Sequence, residues 1–333
     1  MPYPIDKKLV IGVSSSALFD MIKADNVFKN SGEAAYREYQ QKNIDTPFSH
    51  GVAFPFIKRL LNLNKLYPKI SPIEVIVLSR NDPETGRRFF RTCRHYELDI
   101  TRGAFLAGKE PFSYIPAFNI SLFLSANESD VKSATKNGHP AGLVLPTKIK
   151  DDDSTELRIA FDFDGVLADD EAEAIYKKTG DLELFHQYEL KKTKKPHNPG
   201  PLKDLLQKIS SFQELEAKKA KKDKSYKPAL RISIVTARNA PSNERFVTTM
   251  QSWGINVDET FFLGGIDKTR ILKILKPHIF FDDQIAHLAS ASKGIPSVHI
   301  PFGIANEESF QKETAPTKEH DINNSQFGLN LPL

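Results

Sequence analysis

The feature that most narrows what this chain can fold into is an internal repeat. Ile11-Gly12-Val13-Ser14-Ser15-Ser16 lines up with Ile159-Ala160-Phe161-Asp162-Phe163-Asp164, and Val77-Leu78-Ser79-Arg80-Asn81-Asp82-Pro83 with Val235-Thr236-Ala237-Arg238-Asn239-Ala240-Pro241. Phe105-Leu106-Ala107-Gly108 lines up with Phe262-Leu263-Gly264-Gly265, and Leu122-Phe123-Leu124-Ser125-Ala126 with Ile279-Phe280-Phe281-Asp282-Asp283. The blocks keep their order while the offset drifts only from 148 to 158, far beyond a solenoid period. This predicts two copies of one unit, residues 1–150 and 156–310, followed by a weakly ordered tail at 311–333 with few apolar residues.

The unit reads as α/β. Short apolar runs at Leu9–Val13, Ile73–Leu78, Ser121–Leu124, Leu157–Phe161, Ile232–Val235 and Ile279–Phe281 suit strands buried on both faces of a parallel sheet. Between them, Ile57–Leu63, Pro201–Ile209 and Arg270–Leu275 carry apolar residues at helical spacing. Strands alternating with helices imply Rossmann-like units with right-handed crossovers. Asp151-Asp152-Asp153-Ser154-Thr155 reads as the linker.

The copies differ in their polar residues. Asp162 and Asp164 stand against Ser14 and Ser16, Thr236 against Leu78, and Asp282 and Asp283 against Ser125 and Ala126. Arg80-Asn81 in the first copy match Arg238-Asn239 in the second. Asp162, Thr236 and Asp282 each end a strand, and ligands of open parallel sheets bind beyond the carboxyl ends of strands. Four converging acids carry too much charge to meet without a cation, and Mg²⁺ suits oxygen ligands beside a phosphate. Lys268 opens the helix that leads into the Asp282 strand, at the same sheet edge, where a cation neutralises phosphate oxygens. Lys273 and Lys276 compete for that role. The first copy has no such acids and is expected to be non-catalytic. A docking role, or a nucleotide-sensing one, is the alternative to a purely structural part.

Composition excludes several other classes. The net charge of +4 is too mild to argue for nucleic acid or membrane, and the basic runs at Lys191–Lys195 and Lys218–Lys224 read as solvated faces. The single cysteine, Cys93, rules out an internal disulfide and reads as a packed thiol of a cytoplasmic protein. No apolar run reaches the length of a membrane helix. Oligomeric state is not fixed by the sequence, which leaves a homo-oligomer open.

Asp162-Phe163-Asp164-Gly165-Val166, Val235-Thr236-Ala237-Arg238, Lys268 and Phe281-Asp282-Asp283 together resemble the four ordered motifs of the haloacid dehalogenase superfamily of phosphatases. Pro277-His278-Ile279-Phe280-Phe281-Asp282-Asp283-Gln284, Gly200-Pro201-Leu202-Lys203, His95-Tyr96-Glu97-Leu98 and Leu122–Ala126 are similar to the cytosolic 5′-nucleotidase I family, from about residue 8 to residue 305. Mammalian members carry a small residue at Phe163 and Asp-Ala-Val at Asp164-Gly165-Val166. That departure bears on nucleotide preference.

The resemblance implies hydrolysis of nucleoside 5′-monophosphates, with Asp162 as nucleophile and Asp164 as general acid and base. It implies Mg²⁺ held by Asp162, the carbonyl of Asp164 and one of Asp282 or Asp283, and phosphate held by Thr236, Ala237 and Lys268. The insert at about 168–230 would cap the site, with Phe185 and Tyr188, besides Phe163 and Arg238, as candidate substrate contacts. The alternatives are a phosphatase of another small ester, such as a sugar phosphate, and a non-catalytic nucleotide-binding protein.

Overall fold

Among the described residues twelve strands form in chain order: β1 Leu9–Val13, β2 Phe19–Asp20, β3 Ser49–His50, β4 Ile73–Ser79, β5 Arg102–Phe105, β6 Leu122–Ser125, β7 Ala141–Val144, β8 Leu157–Phe161, β9 Leu230–Thr236, β10 Glu259–Phe262, β11 Ile279–Asp282 and β12 Ser297–His299. The structure is a computed structural model, and it describes residues 3–149, 151–152 and 154–307. The expected tail at 311–333 lies outside the described residues, as does Asp153 of the linker.

Ten of these strands make one sheet in the order β10-β9-β8-β11-β12-β7-β6-β1-β4-β5. Neighbours run parallel throughout, except where β12 meets β7 antiparallel. Read outward from that joint, both half-sheets have the same arrangement: β7-β6-β1-β4-β5 on one side and β12-β11-β8-β9-β10 on the other. The antiparallel joint turns the halves around, so their strand carboxyl ends face opposite edges of the sheet. The central strands β1, β4, β6 and β11 are buried along their whole length, as strands covered by helices on both faces must be. β7 and β12, which close the two halves on each other, escape the apolar pattern because β7 begins Ala141-Gly142 and β12 is only three residues long.

One hydrophobic core runs through both halves, from Leu9, Ile11 and Val77 to Phe161, Ile232 and Phe281. The helix Phe54–Leu66 brings Phe56 edge-on to Phe281, with ring centres 6.4 Å apart. From the same helix, buried Arg59 donates to the carbonyl of Ser154 (2.9 Å) and pairs with Asp151 (2.8 Å). In return, Lys208 on the helix Lys203–Lys222 donates to the Ser121 hydroxyl (2.8 Å). Each half thus reaches over the joint into the other. Among the described residues, no helix is long and apolar enough to cross a membrane.

The backbone hydrogen bonds fix which positions correspond between halves, and they correct the sequence alignment twice. Val13 pairs with Val77 as Phe161 pairs with Ile234. Leu106 N–H donates to the Ser79 carbonyl as Leu263 N–H does to that of Thr236. Asn81 N–H donates to the Ser79 hydroxyl (3.1 Å) as Arg238 N–H does to the Thr236 hydroxyl (3.2 Å). The counterpart of Thr236 is therefore Ser79, not Leu78, and that of Arg238 is Asn81, not Arg80. The expected match was one residue out of register, which puts side chains on the wrong face of a strand.

The second correction lies after β1 and β8. Gly51 N–H donates to Leu18 as Gly200 N–H does to Leu167, yet Asp162 to Leu167 is one residue longer than Ser14 to Leu18. The extra residue is Phe163. Asn81 donates to Ser15 (3.2 Å) where Arg238 donates to Asp164, so Ser15, rather than Ser16, stands in the place of Asp164.

The segment expected to cap the site at 168–230 also divides. Its helices Glu171–Thr179 and Leu182–Lys191 stand at the sheet edge, broken at Gly180, whose φ of 66° suits a residue without a side chain. The helix Lys203–Lys222 instead buries Leu205, Leu206, Ile209 and Phe212 in the sheet core. It is a crossover helix of the sheet and not part of a lid.

Candidate active site

Asp162, the residue after β8, donates its N–H to the carbonyl of Phe281 (2.8 Å), which keeps the chain in the sheet as it turns. Its Oδ2 lies 2.5 Å from Lys268 Nζ, and Lys268 also donates to Asp282 Oδ2 (2.7 Å). Lys268 begins the helix Lys268–Leu275, capped by Asp267, and is only 3% exposed. Lys273 and Lys276 face solvent, so the choice among the three lysines is made by burial. Burial works against the ammonium charge, but Asp162 and Asp282 outweigh it and raise the Lys268 pKa.

The acids are not equivalent. Burial opposes the charge of Asp282, yet Lys268 and His287 hold its pKa at about 2. Its Oδ1 accepts from Gln284 N–H (2.8 Å) and lies 3.2 Å from His287 Nδ1. Asp282 is thus fully partnered. Asp283 is 1% exposed, and its Oδ1 has no partner among the described residues. Burial, reinforced by Glu173, Asp282 and Asp162, pushes its carboxyl well above the ordinary range. Its carbonyl is held by His299 (2.9 Å) and Asn306 (3.0 Å), so the side chain is fixed in place. Gly165, at φ 69°, passes beneath it, and a Cβ there would lie 2.6 Å from the Asp283 carboxyl. Only glycine meets both demands.

Burial lifts Asp162 to about 6, with Lys268 pulling the other way. From the helix Glu171–Thr179, Glu173 adds a further carboxylate. Burial, then Asp164, push it up to about 7; Oε1 accepts from Gln284 (2.7 Å) and Oε2 has no partner among the described residues. Two orphaned carboxylate oxygens, buried beside Asp162 and Lys268, are costly unless a cation joins them. The donors are oxygens of carboxylates, the chemistry that Mg²⁺ prefers over softer metals. Asp162, Asp282 and His287 also bring ligand atoms within 4.8 Å of one another. Asp282 belongs to that group but is already committed to Lys268, whereas Asp283 keeps an unpartnered oxygen.

Asp164 faces a different partner. Arg238 grips it as a fork, Nε to Oδ2 at 2.7 Å and Nη2 to Oδ1 at 2.6 Å. The other side of the guanidinium bonds Glu189, which is 0% exposed and also accepts from Arg245 (2.9 Å). Burial opposes the Glu189 charge, but His197 and Arg238 hold it at about 2. Through Glu189, the helix Leu182–Lys191 is tied to the end of β9.

A cavity of about 320 Å³ opens here, lined among others by Asp162, Asp164, Thr236, Ala237, Arg238 and Phe185. Phe185 also lies 5.4 Å from the Arg238 guanidinium. Two candidate contacts lie elsewhere. Phe163 is wholly buried against Phe246 and His197, with ring centres 4.7 and 5.2 Å away, so it is a core residue and not a cavity wall. Tyr188 packs under Lys192, away from the cavity lining. Glu173, Glu189 and His287 had no signal as single residues. Glu189 corresponds to Gln40 of the first half, since Arg88 donates to Gln40 (2.9 Å) as Arg245 does to Glu189. Cys93 is the packed thiol expected, and burial pushes it to about 12.

Comparison with known proteins places the chain in a family. A family model described as 5′-nucleotidase matches residues 1–307. Human cytosolic 5′-nucleotidase 1B is 34% identical over 301 residues, covering 88% of this chain and 49% of the human protein, so the chain spans about half the length of that relative. Among solved structures, a chain titled as part of a Pnkp1/Rnl/Hen1 complex aligns over 89% of this chain and 97% of its own, at 10% identity and a TM-score of 0.32, a likeness too low to bear on fold or function. By a match over its whole described length and by a relative of this identity, the chain belongs to the 5′-nucleotidase family.

Proposed function

We propose that this chain hydrolyses nucleoside 5′-monophosphates through a phospho-aspartyl intermediate on Asp162, with Mg²⁺ as its metal. The observation that carries the reading is the convergence of Asp162, Thr236, Lys268, Asp282 and Asp283 at one sheet edge, with buried carboxylate oxygens left for a cation. Asp162, the Asp164 carbonyl and Asp283 would hold Mg²⁺, which supplies charge neutralisation for the phosphoryl group when bound.

In the first step an Asp162 oxygen bonds to phosphorus while the bond from phosphorus to the 5′-oxygen breaks. Asp164 gives the leaving oxygen its proton, and the nucleoside departs. In the second step water attacks the same phosphorus, Asp164 takes the water's proton, and phosphate and the free Asp162 carboxylate result. Thr236, the Ala237 N–H and Lys268 position and neutralise the transferred oxygens, which is most of what this transfer needs. Both Asp164 oxygens accept from Arg238, so the fork must open before that carboxyl can carry a proton. Substrate entering beside Arg238 offers it another partner.

The helices Glu171–Thr179 and Leu182–Lys191 act as the cap, with Phe185 stacking near the nucleoside. The two halves descend from one duplicated unit, a reading supported by identical strand order and matching hydrogen bonds. The protein works in the cytoplasm. Phosphate release from AMP, IMP, CMP, UMP and sugar phosphates, with and without Mg²⁺, tests the assignment. Nucleotides should be the preferred substrates and Asp162→Asn should be inert; turnover confined to sugar phosphates would sink it.

A further inference from the structure

A second cavity is larger than the one lined by Asp162 and Asp164. It measures about 760 Å³ and opens at the carboxyl ends of β1, β4 and β6, the place in the first half that corresponds to the catalytic cavity. Its size is that of a small-molecule site.

Position by position, the phosphate-handling groups are replaced by neutral ones. Ser14 stands for Asp162, Ser15 for Asp164, Asn81 for Arg238, Ser125 for Asp282 and Ala126 for Asp283. The Lys268 position is taken by Pro111, since Gly108 (φ 88°) and Asn119 (φ 53°) match Gly265 (φ 88°) and Lys276 (φ 47°) at one constant offset. What persists is the hydroxyl, Ser79 for Thr236, and the ring, Tyr36 for Phe185. Tyr36 is 5% exposed, donates to Asn81 (3.2 Å), and meets Phe28 edge-on at 5.7 Å on the cavity wall.

The charge of the wall works against a phosphate. It carries the carboxylates Asp25, Glu33, Asp82, Glu128 and Asp130 against the cations Lys29 and Arg80. Arg80 is held by Asp130, Nε to Oδ1 at 2.6 Å, and the charge of Lys29 acts on Asp25 without a close ion pair. Glu33 and Asp82 share Arg37, both at 2.8 Å. A dianionic phosphate would enter a surplus of negative charge, five carboxylates against two cations on the lining, whereas hydroxyls, amides and rings suit an uncharged polar ligand.

We propose that the first-half cavity binds a nucleoside, the uncharged product class, and not a nucleotide. The choice of nucleoside rests on the nucleotidase reading of the second half; the exclusion of phosphate does not.

Calorimetric titration of the full chain tests this. Adenosine, cytidine and uridine are the probes, set against their 5′-monophosphates on an Asp162→Asn chain that cannot turn them over. Ala126→Phe fills the exposed mouth of the first-half cavity, and Asn81→Ala removes the amide that joins Tyr36 to Ser15; thermal unfolding checks that both fold. The expected result is a nucleoside site weakened about tenfold or more by either variant, indifferent to chelation of metal, with kcat/KM for nucleotides unchanged. Nucleoside binding that ignores both variants would overturn the proposal. So would a monophosphate that takes the same variant-sensitive site as tightly as the nucleoside. Absence of nucleotide turnover, with the variant-sensitive nucleoside site intact, would sink only the catalytic reading.

Discussion

At the carboxyl ends of β8, β9 and β11 stand Asp162, Thr236 and Asp282; at the same points of β1, β4 and β6 stand Ser14, Ser79 and Ser125. The backbone is nearly the same, down to the hydrogen bonds from Asn81 and Arg238 back to a strand-end hydroxyl. What differs is how polar groups are satisfied. In the first half the serines satisfy one another, Ser15 with Ser79 at 3.0 Å and Ser14 with Ser16 at 3.3 Å. In the second half buried Asp162 and Asp282 share one lysine, and an oxygen each of Asp283 and Glu173 has no partner among the described residues. The comparison teaches that this fold needs neither the acids nor the lysine. Their burial costs stability, and the chemistry is the reason to keep them.

The comparison breaks most sharply if the halves are made alike. Asp162→Ser gives the second half the residue of the first and should lower kcat/KM by about 10⁴-fold or more, while Ser14→Asp should confer no activity on its own half. Phosphate release with saturating Mg²⁺ checks both.

Glu189→Gln copies Gln40 and leaves Arg238 and Arg245 without their shared carboxylate, at a cost of about 3 kcal/mol. Its pH dependence has a fixed sign. The Glu189 carboxyl is depressed from 4.5 to about 2, so its contribution is present above pH 4.5 and is lost as pH falls towards 2. Urea unfolding across that window should show wild type losing stability faster than the variant.

Asp283→Ala copies Ala126 and removes an unpartnered buried carboxylate. The metal-free variant should be more stable than wild type by about 1–3 kcal/mol, and should lose the stabilisation that Mg²⁺ gives wild type. Thermal unfolding with Mg²⁺ and with chelator reads both. At the small end, Tyr188→Phe should leave nucleobase preference within about twofold, because the ring packs under Lys192 and not on the cavity.

Most of the sheet was legible because buried parallel strands read as apolar runs, and the acids because they end those runs. Register was not. Arg80 with Arg238 and Asn81 with Asn239 made a persuasive match one residue off, and only the ladder from Val77 and Ile234 sets it right. Phe163 looked like a site residue by its place between two acids, but in the second half's longer turn it points into the core against Phe246. Glu173 and Glu189 lie on surface-like helices, and what buries them is tertiary contact with Gln284 and with Arg238 and Arg245, which no local pattern announces.

The central claim is that one half of a paired architecture carries the chemistry, on one carboxylate. Acid quenching during turnover of a 5′-nucleotide, followed by borohydride reduction of the acyl phosphate and peptide mapping, reads it directly. The account predicts a single modified side chain per molecule, at Asp162. Modification within residues 1–150, or full turnover with none at all, would contradict it.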